Sequence, residues 1–386
     1  VSRPAPPPAA AEPLLVTRPD LPPLAELLPA LESIWASRQL TNQGPFHQRL
    51  EEALARHLDV PALSLFCNGT VALLAALRTL ALDRPADGGE VITTPYSFVA
   101  TAHVLRWVGL TPVFVDIDPA TFALDPRHLE AARTPRTRAV MPVHVYGYPC
   151  DTAAIDAFAQ RHDLKVLYDA AHAFGVRTAG PGLLRAGNLT VLSFHATKVF
   201  HTFEGGAVVC ADERTKRQLD RIRNFGFVDE VTVDSIGING KMNELQAAVG
   251  LLQLPRLELH RQRRAAIDTA YREGLADLAS RGQVLLPPVS RADAHNHGYF
   301  PLRVTAAFTG GRDGLYQRLR TAGIHARRYF HPLITEFPMY TGMPGAGADR
   351  LPVATQVARE IICLPMHGSL SDDDIERVLH EIHAAA

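Results

Sequence analysis

Short apolar runs recur along the chain at Ala62–Cys67, Glu90–Thr94, Val113–Asp116, Ala139–Val145, Lys165–Asp169, Val191–His195 and Ala207–Cys210. Most are separated by stretches such as Val71–Leu82, Phe98–Val108, His128–Arg133 and Ala153–His162, where apolar residues return at helical spacing. Runs that are apolar on both faces fit buried strands, and a 3.6-residue period fits helices. The alternation predicts an α/β domain around a mostly parallel, seven-stranded sheet. In such sheets the ligand lies beyond the carboxyl ends of the strands.

The flanks read differently. Residues 1–23 are rich in Pro and Ala and predict an extended or disordered arm. Leu24–Trp35 and Phe46–Leu58 have helical periodicity, with a polar loop, Leu40–Pro45, between them. Beyond the sheet come helices over Arg214–Arg223 and Asn243–Leu254, and after Pro255 an Arg-rich helix to about Leu275. Strands at Gln283–Leu286 and Tyr299–Val304, with helices at Gly314–Ala322 and Asp372–Ala384, predict a smaller α+β C-terminal domain. Ser371 or Asp372 can cap the last helix. The expected organisation is an arm over 1–23, a large α/β domain over 24–254, and a bridging helix with a small domain over 255–386.

Composition narrows the class. The chain has 386 residues, 47% of them apolar, and a formal net charge of -1. That is enough chain for a large core and two domains. Near-neutrality argues against a nucleic-acid partner. No apolar run is long enough to span a bilayer, and without a charged-then-apolar opening stretch no signal peptide is expected. Cys67, Cys150, Cys210 and Cys363 are scattered, which predicts free thiols, no metal site and a reducing, cytoplasmic setting.

Lysine is scarce: Lys165, Lys198, Lys216 and Lys241 are the only ones. Lys165 opens a strand and Lys216 lies in a charged helix, which leaves Lys198 and Lys241 in site context. Lys198 leaves a buried strand, and burial lowers an amine's pKa and makes it a carbonyl nucleophile. Asp169 ends the strand VLYD and is followed by Ala170, Ala171 and His172. A carboxylate there can hold a cationic ring nitrogen, and His172 can donate to a phenolate oxygen. Asn68-Gly69-Thr70 opens a helix, where unpaired amides receive phosphate. Phe98 offers an aromatic face. A phosphate, a protonated pyridine and an aldehyde on one ligand describe pyridoxal 5′-phosphate (PLP). Taken one at a time, each of these residues has an ordinary alternative: a solvated lysine, an N-cap, a packed Phe or His.

The stretches NGTVAL, TPYSFVATA, PVFVDIDP, PVHVYG, YDAAHAFG, SFHATK…EGG and GINGKMNELQAAVGLLQL stand in order along the chain. Together they resemble the DegT/StrS-type sugar-nucleotide aminotransferases, PLP enzymes of fold type I. The resemblance implies Lys198 as the Schiff-base lysine, Asp169 as the partner of the ring nitrogen and His172 as the partner of the ring oxygen. It implies Gly69, Thr70 and Ser193 as phosphate ligands, Phe98 as the stacking ring, and Asn239 as a phosphate contact reaching in from a second subunit of a homodimer. For the substrate it implies Thr41, Asn42, Gly44, Lys241, Arg327, Arg328, Tyr329 and His331. The implied activity is transfer of an amino group from L-glutamate, through pyridoxamine 5′-phosphate, to a nucleotide-linked keto sugar. The segments RPDLPPL, LTNQGP and NGKMNE look most like C4-aminating enzymes of dTDP-4-keto-6-deoxyglucose. C3 amination, sugar dehydration and a non-catalytic regulator are the alternatives, and an intact Lys198 favours transamination over dehydration.

Overall fold

The computed structural model describes residues 12–83, 88–179, 182–290 and 292–386. The first part of the Pro/Ala-rich arm, residues 1–11, lies outside them. In chain order the strands are β1 (Leu14–Leu15), β2 (Ala62–Phe66), β3 (Glu90–Thr93), β4 (Thr111–Phe114), β5 (Thr137–Met141) and β6 (Lys165–Asp169). They continue as β7 (Leu189–Ser193), β8 (Gly206–Cys210), β9 (Val284–Leu285), β10 (Phe300–Val304), β11 (Ile324–His325) and β12 (Ile361–Leu364).

One seven-stranded sheet has the order β2-β8-β7-β6-β5-β3-β4. It is parallel except at β8, which runs antiparallel to both neighbours. Each strand feeds side chains to two cores. Ala62, Phe66, Val91, Met141, Leu167, Val191 and Val208 pack on one face, under the helices Gly69–Thr79, Ala100–Trp107 and Glu213–Ile222. Leu63, Leu65, Leu192, Ala207 and Val209 face the other way, toward the helix Pro45–Leu58. Burial on both faces is why these strands read as continuous apolar runs. A second core holds β9, β10 and β12 against the helices Leu257–Gly274, Gly311–Thr321 and Asp372–His383. The result is a fold type I architecture: an α/β domain around the large mixed sheet, and a smaller α+β C-terminal domain.

The described part of the arm is stitched to this smaller region. Leu14–Leu15 pairs in parallel with Ile324–His325, and the amide of Met366 donates to the carbonyl of Val16. Asp20 then meets residues far from it in sequence. Its carbonyl accepts from Gln253 and lies 3.0 Å from His201 Nε2, and its carboxylate lies 3.4 Å from both His260 and Arg264.

Some elements differ from expectation. The helix expected from Gly314 begins at Gly311, and the one expected over His128–Arg133 is a 3-10 turn followed by a single helical turn. The helix Pro352–Glu360 and the strand β12 that follows it at once were missed. No Gly or turn cluster separates the two, so the apolar run Ile361–Leu364 continues the helical pattern on paper. Cys150, Cys210 and Cys363 are buried and unbridged, and Cys67 is half-buried and free.

Candidate active site

The carboxyl ends of β6 and β7 carry Asp169 and Ser193, and the chain beyond β7 forms a closed loop that holds Lys198. That loop is pinned by backbone bonds from Phe194 to Gly205 and from Thr202 to Phe194, at 2.8 and 3.0 Å. Phe194 and Phe200 dip into the core, where Phe200 stacks on Phe174 with ring centres 4.6 Å apart. Two apolar anchors with the lysine between them fix where the amine emerges.

Lys198 is half-buried, and desolvation lowers its pKa to about 8, against an opposing pull from Asp169. Its Nζ lies 3.4 Å from the phenol oxygen of Tyr299. Asp169 is buried, and burial raises its pKa. Two hydrogen bonds and the field of Lys198 resist that rise: Oδ1 accepts the amide of Ala171 at 3.0 Å, and Oδ2 accepts the hydroxyl of Thr101 at 2.8 Å. Thr101 in turn shares a 2.9 Å bond with Ser97. The two donors and the nearby cation favour the ionised form against the cost of its burial.

His172 is buried, and desolvation with the nearby Lys198 charge keeps it neutral. Its Nδ1 accepts the amide of Tyr146 at 3.1 Å. A neutral ring that accepts at Nδ1 carries its proton on Nε2, so that nitrogen is a donor.

At the start of the helix Gly69–Thr79, the Asn68 side chain accepts the amide of Val71 at 2.8 Å. The amides of Gly69 and Thr70 have no partner among the described residues. A β-carbon on Gly69 would stand 3.0 Å from Ser193 Cβ and 3.2 Å from its hydroxyl. Two free amides at the positive end of a helix dipole, beside a hydroxyl, could hold a phosphate. On the other side, a β-carbon on Gly206 would come within 2.8 Å of the Gly69 amide, so β8 can pass behind the cup only with glycine there.

The remaining expected residues fall in three places. Phe98 is exposed just before the helix that carries Thr101. Asn239 and Lys241 lie on the loop 224–241. Asn239 is exposed, and Lys241 donates to Asn224 at 3.0 Å and sits over the Phe225 ring. Thr41 is half-buried and Asn42 exposed, whereas Gly44 is buried against Glu244. In the 327–331 segment, the Arg328 guanidinium binds Asp313 at 2.8 Å and covers Tyr316, while Arg327 is exposed beside it. Tyr329 receives the hydroxyls of Tyr96 and Tyr146 on its carbonyl, and His331 is half-buried nearby. Sequence reasoning missed Thr101, Tyr146, Asn296 and Tyr299. Thr101 lay within the TPYSFVATA stretch, but its partner is 68 residues away.

A desolvated amine, a buried acid, a donor imidazole and a phosphate cup at one end of this sheet define a PLP-dependent transferase of fold type I. The chain belongs to the DegT/DnrJ/EryC1/StrS aminotransferase family, matched over residues 24–383. It is 50% identical over 371 residues to a dTDP-4-amino-4,6-dideoxy-D-glucose transaminase of Shigella dysenteriae, covering 96% of this chain and 98% of that one. The fold resembles a crystal structure of DesI in the presence of its TDP-sugar product, with a TM-score of 0.88 and 39% identity over 97% of this chain and 93% of that one. It also resembles ntda of Bacillus subtilis with bound cofactor PMP, with a TM-score of 0.84 and 28% identity over 94% and 81% of the two chains. The protein is a PLP-dependent aminotransferase of nucleotide sugars.

Proposed function

We propose that this enzyme moves an amino group from L-glutamate to the C4 keto group of a nucleotide-linked 4-keto-6-deoxyhexose, giving a dTDP-4-amino-4,6-dideoxyglucose type of product. The activity of the Shigella dysenteriae relative, identical at half of the aligned positions, supports C4 of a dTDP sugar. The observation that carries the chemistry is the placement of Lys198, just beyond the end of β7, beside the buried carboxylate that ends the neighbouring strand β6; burial lowers the pKa of that amine to about 8 against the pull of Asp169. PLP, when bound, supplies an aldehyde for the amine and a ring that takes up electrons from the substrate carbon. The chain's own residues do the rest. Lys198 would hold the cofactor through its aldehyde and, as a free amine, would be the base that moves the proton. Asp169 keeps the ring nitrogen protonated. His172 donates from Nε2 to the ring oxygen. Gly69, Thr70 and Ser193 bind the phosphate, and Phe98 covers a ring face.

Asn239 and the loop around it complete the site in a partner subunit. Phe225, Phe227, Val231, Ile236 and Ile238 are all exposed on this loop. A run of apolar residues left open to water is the surface of an interface. Thr41, Asn42, Gly44, Lys241, Arg327, Arg328, Tyr329 and His331 are assigned to the nucleotide sugar.

The test is to incubate the purified protein with PLP, L-glutamate and a panel of keto-sugar nucleotides, then follow 2-oxoglutarate and determine the product by NMR. Release of 2-oxoglutarate with an equatorial amine at C4 supports the reading, and an axial amine there keeps the C4 chemistry but replaces the glucose-type product with its C4 epimer. An amine at C3, or loss of water with no 2-oxoglutarate formed, overturns it. Lys198→Ala should abolish both turnover and the visible absorbance of the bound cofactor.

A further inference from the structure

We propose that Tyr299 is a positioning residue for Lys198: its phenol holds the lysine amine in place whenever that amine is not bonded to the cofactor. This rests on the reading of Lys198 as the reactive amine. The phenol oxygen is 3.4 Å from Nζ and is the only hydrogen-bonding side chain on it among the described residues. Contacts of this kind are often long before a site is filled and tighten afterwards.

The surroundings show that the phenol is placed deliberately. Tyr299 sits just before β10, at the end of a short segment that is locked across the site. Asn296, buried, donates to the carbonyls of His172 and Phe174 at 2.8 and 3.0 Å, and accepts the amide of Gly298 at 3.1 Å. A β-carbon on Gly298 would stand 3.1 Å from Val199, the residue after the lysine. The neighbours of the tyrosine and of the lysine are thus packed against each other. The ring of Tyr299 leans on His172 at 4.8 Å and on Tyr146 at 5.4 Å. One clamp sets the positions of His172, Lys198 and Tyr299 together.

A phenol can serve both forms of the amine. It accepts from the ammonium and donates to the free base. Burial raises its own pKa, so it keeps its proton throughout. Hydrogen bonds to a charged partner are roughly twice as strong as neutral ones, so the phenol favours the ammonium. Its removal should lower the pKa of Lys198. It should also let the long side chain swing, because no second side chain among the described residues holds its amine.

The test uses cofactor-free wild type, Tyr299→Phe and Lys198→Ala. The pH dependence of Lys198 labelling by trinitrobenzenesulfonate is read by peptide mass spectrometry. Tyr299→Phe keeps the ring, and the lost hydroxyl has no other hydrogen-bond partner among the described residues, so the variant should melt near wild type. The midpoint for Lys198 is expected near 8 in wild type, and about one pH unit lower in Tyr299→Phe, a tenfold change in proton affinity. With PLP restored, kcat should fall about tenfold while KM for the sugar nucleotide stays within about twofold. An unchanged midpoint in Tyr299→Phe overturns the proposal. A wild-type midpoint like that of a free lysine, about 10.4, overturns the reading of Lys198 instead.

Discussion

Glu244 caps a helix that begins far from it in sequence: its Oε1 accepts the amide of His47, 197 residues away, at 2.9 Å, and its Oε2 accepts the amide of Phe46 at 2.8 Å. The helix Pro45–Leu58 has no side-chain cap of its own, since its first flanking residue is Gly44. A β-carbon there would stand 2.4 Å from the Glu244 carboxyl carbon. Gly44, which the sequence assigned to substrate, is therefore required to let the carboxylate in. The amide of Glu244 returns a bond to Leu40, so the polar loop 40–44 is fastened at both ends. A negative group at a helix start gains from the dipole as well as from the two bonds.

Glu244→Ala should destabilise the protein by about 2–3 kcal/mol, with Glu244→Gln losing about half of that. Urea unfolding read by circular dichroism measures both. If the loop 40–44 contacts substrate, KM for the sugar nucleotide should rise in both variants.

Thr101→Val removes one of the two donors on the Asp169 carboxylate. A hydrogen bond to the charged form lowers a carboxyl pKa, so its loss should raise the Asp169 pKa further. In the cofactor-free protein, a carboxyl-labelled NMR titration should show Asp169 taking up its proton at higher pH than in wild type. Equal titrations in the two proteins would mean that Thr101 serves packing alone.

Acid should unfold this protein early. Burial lowers His47 and His144 to about 3 and His295 to about 4. In the unfolded chain each binds a proton near about 6.5. Below that pH the unfolded state holds more protons than the folded one, so stability falls as pH falls. The histidine contribution is complete above about pH 6.5 and is lost on the way down toward 4 and 3. Each of His47 and His144 accounts for about 2 kcal/mol between pH 6.5 and pH 5, as an upper bound. Unfolding free energies measured at pH 7 and pH 5 should differ by several times the error. A flat profile would mean that these rings are protonated in the folded state.

Ile236→Asp or Val231→Asp, placed on the exposed loop 224–241, should turn a dimer into a monomer in sedimentation velocity, with the far-ultraviolet spectrum unchanged. Activity should fall with dimer content if Asn239 completes a partner's site. A fully active monomer would remove Asn239 from the site.

Much of this architecture was legible because it is local. Asp169 ends an apolar run, and the end of a run in a parallel sheet faces the ligand side, whereas Ser193 came only from the family resemblance. Lys198 stood out because lysines are so few. The parts that were missed depend on partners remote in sequence. Thr101 is an unremarkable helical threonine until Asp169 arrives beside it. Glu244 reads as a surface residue at a helix start and is buried because it caps another helix. Tyr299 reads as the first residue of a core strand. The bond from Arg328 to Asp313 was hidden in the same way, because the two meet only in the fold.

The seam at Leu14–Leu15 carries an implication for biosynthesis. A ribosome delivers these residues well before the strand they join, Ile324–His325, and the Met366 amide that bonds Val16. The segment cannot dock until those partners have been made, so its closure, with Asp20 settling among His201, His260 and Arg264, comes late in the folding of this chain.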